Sequence, residues 1–546
     1  RAERTFWVGP VAVRWTAATG FDGLTEDALR AGRGIEAHVM RIGGLTARQI
    51  EPSDIDPRRI ELLGAITASQ RLADGGQAIH VLGTRVDVPP QFAVAALALF
   101  RDPDDRRPED QFRTEVGGVP LVIGGELSAR VRHRGGTEFD DRLDDDTTDL
   151  DLEMKLELYA PIDSHNSLYA EVKAEHEAEL YREGGGTRND SAVERGEAWF
   201  YHRFADRTGL AIQVGRQAFR ERREWWWDDD LDGIRLYWNG FPYSLEVGVA
   251  QELAPTSTDD DGIDPEEDEV LRLLARLGWR VHPDHELSLF ALRQNDHSRR
   301  HGLGESASEA REDESDASLL WLGLRVGGEA EVPWLGAVDY WLDVARVTGR
   351  EIRFASSGTA FGRTIDARTR HTVRGHALDA GMTVRLDVPF EPALTLGYAF
   401  GSGDDDSDPG RDRAFRQTGL QDNNARFEGV NRFRYYGELL DPELSNLHIA
   451  TVSLGVPLLR SSSAELVFHH YWQDEAAPRL RDTNLDARPG GRNRTLGQEL
   501  DLVIGLEEWD QLEVEIVGSL FRSGDAFDRL SGELAYGGFV RMDWNF

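Results

Sequence analysis

From about residue 121 to the end, apolar and polar positions alternate along the chain with a period of two. Leu150, Leu152, Met154, Leu156, Leu158 and Ala160 fall on one face, with Asp151, Glu153, Lys155, Glu157 and Tyr159 on the other. The next segment repeats the pattern, with Leu168, Ala170, Val172, Ala174, Ala178 and Leu180 opposite Glu171, Lys173, Glu175, Glu177 and Glu179. A third sets Leu271, Leu273, Ala275, Leu277, Trp279 and Val281 against Arg272, Arg276 and Arg280. A helix of period 3.6 would scatter these residues around its circumference, whereas a strand sorts them onto two faces. Strands are expected near 121–133, 147–160, 166–181, 192–204, 208–219, 231–238, 242–252, 268–281, 284–294, 318–328, 334–347, 372–388, 391–402, 446–458, 462–473, 496–508, 510–522 and 532–546.

Alternation also occurs in soluble antiparallel sheets, so the connections decide the class. Short links at 161–166, 205–207, 239–241, 282–283, 389–390 and the Trp509 turn are interleaved with long ones. The long ones are 134–146, 182–191, 220–230, 253–267, 295–317, 348–371, 403–445 and 474–495. Short periplasmic turns and long extracellular loops give bacterial outer-membrane barrels this rhythm, and their strand number is even. The expected fold is therefore all-β, an antiparallel transmembrane β-barrel of about eighteen strands. In the final strand Leu534, Tyr536, Gly538, Val540, Met542, Trp544 and Phe546 share a face. An alternating last strand closed by Phe resembles the signal read by the outer-membrane assembly machinery. No leader precedes Arg1, so this is expected to be a mature or trimmed form.

Residues 1–100 read differently. Strands are expected at 7–15, 59–70 and 78–88, with a hairpin at 34–50 around Gly43-Gly44 and an apolar run at 93–100. This suggests a small OB-like β domain in the periplasm. Residues 101–118, with Pro103 and Pro108, read as a linker to the barrel at 119–546.

Charge narrows the partners. The formal net charge is -36, which argues against nucleic acid. There are no cysteines, hence no disulfide or thiol chemistry. No stretch of about eighteen apolar residues is long enough for a transmembrane helix. No nucleophile motif or nucleotide-binding glycine loop is present, so no enzyme activity and no resident cofactor are expected. Acidic runs recur in the loops, and Asp404, Asp406 and Asp408 are weak calcium candidates, without the ligand spacing of an EF-hand. His469 and His470 are neighbours on opposite faces of a strand and cannot share a metal.

The most distinctive wording is in the long loop after residue 402. It runs Gly401-Ser402-Gly403-Asp404, then Phe415-Arg416-Gln417-Thr418-Gly419-Leu420-Gln421-Asp422-Asn423, then Arg434-Tyr435-Tyr436-Gly437-Glu438 and Glu443-Leu444-Ser445-Asn446-Leu447. Two further stretches are Gly215-Arg216-Gln217 with Phe219-Arg220, Trp226-Trp227-Asp228 and Asp232, and Phe468-His469-His470-Tyr471-Trp472. In these residues the chain resembles the alginate export family of eighteen-stranded outer-membrane barrels, over roughly 119–546. The resemblance implies an outer-membrane porin that passes a polyuronate outward through a lumen lined by basic side chains.

Arginine grips carboxylates in a bidentate way, and each alginate sugar carries one. By strand face, the expected lumen residues are Arg130, Lys155, Arg216, Arg272, Arg276, Arg280, Arg325 and Arg385, with Arg416 hanging from the long loop into the mouth. The competing reading is that inward arginines only neutralise inward acids. Glu171, Glu175, Glu177 and Glu179 against a lone Lys173 would repel a polyanion locally. Trp226 and Trp227 suggest a sugar-stacking platform at the outer mouth, or an interfacial aromatic girdle. The expected partners are a polysaccharide chain, outer-membrane lipid and periplasmic export scaffold proteins docking on residues 1–100. The alternatives are an uptake porin for oligosaccharides or small anions, and a structural or adhesive surface barrel.

Overall fold

The computed structural model describes residues 112–546 apart from short stretches within loops and turns, and, as backbone, eight strands between Arg4 and Val88. Eighteen antiparallel strands close into one barrel. They are β1 Val119–Gly135, β2 Thr147–Pro161, β3 Asn166–Arg182, β4 Asn189–Arg203, β5 Leu210–Arg220, β6 Asp228–Gly240, β7 Tyr243–Ala250, β8 Val270–His282 and β9 His285–Asp296. Then come β10 Ser315–Val332, β11 Gly336–Thr359, β12 Gly362–Arg385, β13 Ala393–Gly401, β14 Leu447–Pro457, β15 Ser462–Gln473, β16 Thr495–Leu506, β17 Leu512–Ser523 and β18 Leu534–Asn545.

The expected faces are the observed ones. Leu152, Met154, Leu156 and Leu158 are exposed on the outside, as are Leu273, Leu277 and Trp279 on β8. Outside a barrel in a bilayer, exposed apolar surface is the lipid contact, so burial from water and burial in the structure part company here. Closure is by β1, which pairs with β18 from Glu126↔Asn545 to Gly135↔Tyr536. Below that point the backbone of Phe546 exchanges two hydrogen bonds of 3.0 Å with Gly125. A short strand at Phe112–Val116 then continues the ladder on the same edge of β1.

The largest departure from expectation is at 348–371, read as a long loop. It is strand: β11 and β12 pair from Ala337↔Arg385 to Thr359↔Gly362. Alternation persists there, but Glu351 and Arg353 on one face and Arg350 and Arg370 on the other are all polar. The hydrophobic signal ends where the hairpin leaves the bilayer.

Among the N-terminal strands, Arg4–Val8 and Val11–Trp15 are two strands paired antiparallel, not one strand. Gln77–Val81 and Thr84–Val88 likewise pair with each other. Alternation alone does not mark where one strand ends and its partner begins. The described strands lie in two sheets, one of five strands and one of three. The apolar run at 93–100 and the linker up to 111 fall outside the described residues.

Candidate functional site: a lumen partly filled by two inward loops

Two extracellular loops fold into the barrel. The 221–227 loop follows β5, and the 402–446 loop follows β13. Together they supply Trp225, Trp226, Trp227, Phe415, Leu420, Phe433, Tyr435, Tyr436, Leu440 and Leu444 to one buried apolar cluster. The Trp226 ring stacks on Phe290 of β9 with centroids 4.9 Å apart and planes 4° apart. Trp225 stacks on Phe415, and its Nε1 donates to the Tyr436 hydroxyl at 2.8 Å. Gly323 on β10 makes room for this docking, since a Cβ there would overlap the Trp226 ring.

Polar locks tie the loops to the wall. The Glu221 carboxylate accepts the backbone N–H groups of Arg223, Trp225 and Trp226 at 2.9, 2.7 and 3.0 Å. Arg325 donates to both Glu221 and Asp343. Burial disfavours the Glu221 charge, but the Arg325 guanidinium and these donors outweigh it and hold the carboxyl at about 2. Arg223 is sandwiched between Trp341 and Tyr435, 4.2 and 4.5 Å from their centroids, and donates to Asp379 at 3.1 Å. Arg416 donates to Glu351 at 2.8 Å and to Asp412 at 2.5 Å, and Trp321 Nε1 donates to the Arg416 carbonyl at 2.8 Å. At the far wall, Glu499 of β16 accepts the N–H groups of Leu439 and Leu440.

These contacts sort the expected lumen residues into two groups. Arg216, Arg272 and Arg416 are buried against Glu252, Glu267, and Glu351 with Asp412 respectively, and Arg325, largely covered, is held by Glu221 and Asp343. Here the charge-neutralising reading holds, and Arg416 does not hang free in the mouth. Arg130, Lys155, Arg276, Arg280 and Arg385 remain partly or well exposed. Arg130 meets Asp151 at 2.7 Å, Arg276 meets Glu286 at 2.8 Å, and Arg385 meets Glu428 at 2.9 Å and Asp339 at 3.4 Å. A guanidinium at this exposure keeps donors for a passing carboxylate. The wall also carries Arg132, Lys173 and Arg541, which are similarly exposed. Arg541 was legible as an inward position of the last strand.

Trp226 and Trp227 are a correction. Each is 1% exposed, inside the lumen, so neither a sugar platform nor a lipid-facing girdle applies. A run of three tryptophans before three aspartates reads as a surface feature only while the loop is assumed to point outward. On β3 the acid excess is real in part. Glu179 is held by Arg182, and Glu171 accepts the Tyr169 hydroxyl at 2.8 Å near Lys173. Glu175, however, lies directly across from Glu153. Of the calcium candidates, Asp406 is outside the described residues and Asp408 pairs with Arg411. The acidic oxygens of Glu224, Asp228 and Asp422 do converge within 4.8 Å, but Arg432, Arg220 and Arg434 balance them.

Comparison with known proteins adds to this geometry. A family model described as "Alginate export" matches residues 120–536, which includes both inward loops. "Alginate production protein AlgE" of Pseudomonas aeruginosa is 25% identical over 394 residues, covering 67% of this chain and 78% of that protein. The protein of the same description from Azotobacter vinelandii is 24% identical over 381 residues, covering 62% and 76%. Among solved structures, the chain is similar to Pseudomonas aeruginosa OccD3 (OpdP) at TM-score 0.48 and 11% identity, covering 83% of this chain and 98% of that one. On the family match, which spans the barrel and the loops inside it, this chain belongs to the alginate export family, in the bacterial outer membrane.

Proposed function

We propose that the barrel is a passive conduit through which an alginate-like polyuronate leaves the cell. The observation that carries this reading is the family match across the wall and both inward loops. No energy source is needed in the chain itself, because pores conduct by binding that is attractive enough to admit and weak enough to release. The exposed cations of the wall, Arg130, Arg132, Lys155, Lys173, Arg276, Arg280, Arg385 and Arg541, suit that task. Each polymer carboxylate can exchange with the acid already beside the arginine, so no single site holds the chain tightly. Arg325 and Arg416 do a different job, holding the loops that narrow the path. Residues 1–100 are proposed to meet a periplasmic scaffold protein that feeds the polymer in.

The test is single-channel conductance of the purified protein in a planar bilayer, with and without residues 1–118. Anion selectivity and block by polyuronate oligomers from the short-turn side support export of an acidic polymer. Cation selectivity with no block sinks it. Block only by neutral oligosaccharides added from the loop side would point to uptake instead.

A further inference from the structure

We propose that the outward face of the β11–β12 hairpin docks the phosphorylated headgroup of an outer-leaflet glycolipid, held by Arg346, Arg350 and Arg374. On the hairpin itself the lipid-facing apolar run, Tyr340, Leu342 and Val344 on β11 opposite Met382, Ala380 and Leu378 on β12, ends at the Val344–Leu378 pair. Val344, Leu378, Phe400, His448 and Trp472 are successive cross-strand partners on β11 to β15. The three rings among them, on β13 to β15, stack in turn: Phe400 to His448 is 4.8 Å between centroids, and His448 stacks on Trp472 at 5.0 Å with planes 5° apart. Amphipathic rings settle at the water interface of a bilayer.

The next outward positions, moving away from the membrane, are Arg346 opposite His376, then Thr348 opposite Arg374, then Arg350 opposite Thr372. Three guanidinium groups therefore surround Thr348 on the outside of the barrel. They span about 14 Å along the strand, beginning about 7 Å beyond Val344, where the apolar run ends. Arg293 lies in the Thr348 row two strands away and donates to the Ser318 hydroxyl at 2.8 Å.

All three arginines are exposed. None makes an ion pair among the described residues, whereas Arg216, Arg325 and Arg416 inside this acidic chain are each matched to carboxylates. Arginine cannot shed its charge, so three like charges this close favour a multivalent anion from outside. The face points away from the lumen and adjoins the apolar band. A lipid whose acyl chains lie on that band would bring its phosphates to this height. A polymer leaving the lumen emerges on the other face of the same sheet.

The test uses the full chain, folded in zwitterionic detergent and titrated with diphosphorylated lipid A and with its dephosphorylated form. Binding is read by native mass spectrometry, and folding by heat-modifiable mobility. The expected result is a preference of about tenfold or more for the phosphorylated lipid, weakening with salt. The combined variant Arg346→Gln, Arg350→Gln, Arg374→Gln should lose that preference while still folding. A control in exposed arginines elsewhere, Arg182→Gln, Arg188→Gln, Arg494→Gln, should keep it. An unchanged preference in the first variant overturns the proposal. So does displacement by pyrophosphate at equal concentration, which would mean that free phosphate suffices, or tighter binding of polyuronate oligomers at these three residues.

Discussion

Arg325 on the barrel wall donates from Nη2 to Oε1 of Glu221 in the 221–227 loop at 3.0 Å, while its Nε holds Asp343 at 2.8 Å. One guanidinium thus joins the wall to a carboxylate that itself orders three backbone N–H groups of the loop. Removing it strands two buried acids. Arg325→Gln is expected to destabilise the folded lumen by about 3–5 kcal/mol. Adding Glu221→Gln should cost less than the sum, because the two act as one unit. Denaturant unfolding of the single and double variants measures both quantities, and strict additivity would show that the pair is not coupled.

A side chain at Gly323 competes with Trp226 for the same space. Gly323→Val should expel the 221–227 loop while leaving the strand paired, since β-branched residues suit strands. Larger single-channel conductance and new protease cleavage near 221–227 are the expected readouts. Unchanged conductance would mean that this loop does not narrow the path.

Two loop carboxyls push stability in opposite directions with pH. Glu221 ionises at about 2, below its unfolded value near 4.3, so its contribution is present at neutral pH and is lost as pH falls through 2. Glu438 is pushed up to about 8 by burial, with Asp501 and Glu515 nearby. Its neutral form is the one the fold accommodates, so its contribution is greatest below about 4.3 and is lost as pH rises toward 8. Hydrogen-exchange protection of 434–441 should therefore decline from pH 5 to 8, and Glu438→Gln should flatten that decline. A decline of the same size in the variant would remove Glu438 as its cause.

The exposed wall cations are expected to set ion selectivity. Reversing three of them together, Arg130→Glu, Arg276→Glu and Arg385→Glu, should shift reversal potentials toward cations and weaken polyuronate block by about tenfold or more, as for displaced like charges at an interface. Equal block in the variant would place the polymer path elsewhere.

Much of this was legible before the structure. Alternation through Leu152, Met154 and Leu156 and the rhythm of short and long links are direct consequences of a two-faced wall in a bilayer. The face of each inward arginine could also be read, because strand parity decides it. What parity could not supply was the neighbour. Arg272 and Arg276 share a face on β8, yet one is 2% exposed against Glu267 and the other is open beside Glu286. That difference depends on a loop and on a partner strand. Trp226 failed for the same reason: a loop that folds inward has the composition of a core, but nothing local says which way it turns. The β11–β12 extension was hidden because its two faces are equally polar.

Trp225 and Tyr436, joined by a hydrogen bond in the lumen, are 211 positions apart in the chain. Each wall strand, by contrast, pairs mainly with its immediate successor. The loops dock on side chains that only the paired wall presents, Phe290 of β9, Trp321 of β10 and Asp379 of β12, so their contacts follow the pairing of those strands. Assembly would then have two stages: a cylinder zipped strand by strand, then its interior set by the docking of distant segments. Between them the wall strands would already be paired while the lumen is still open to solutes, so narrowing the pore is a separate step from building its wall.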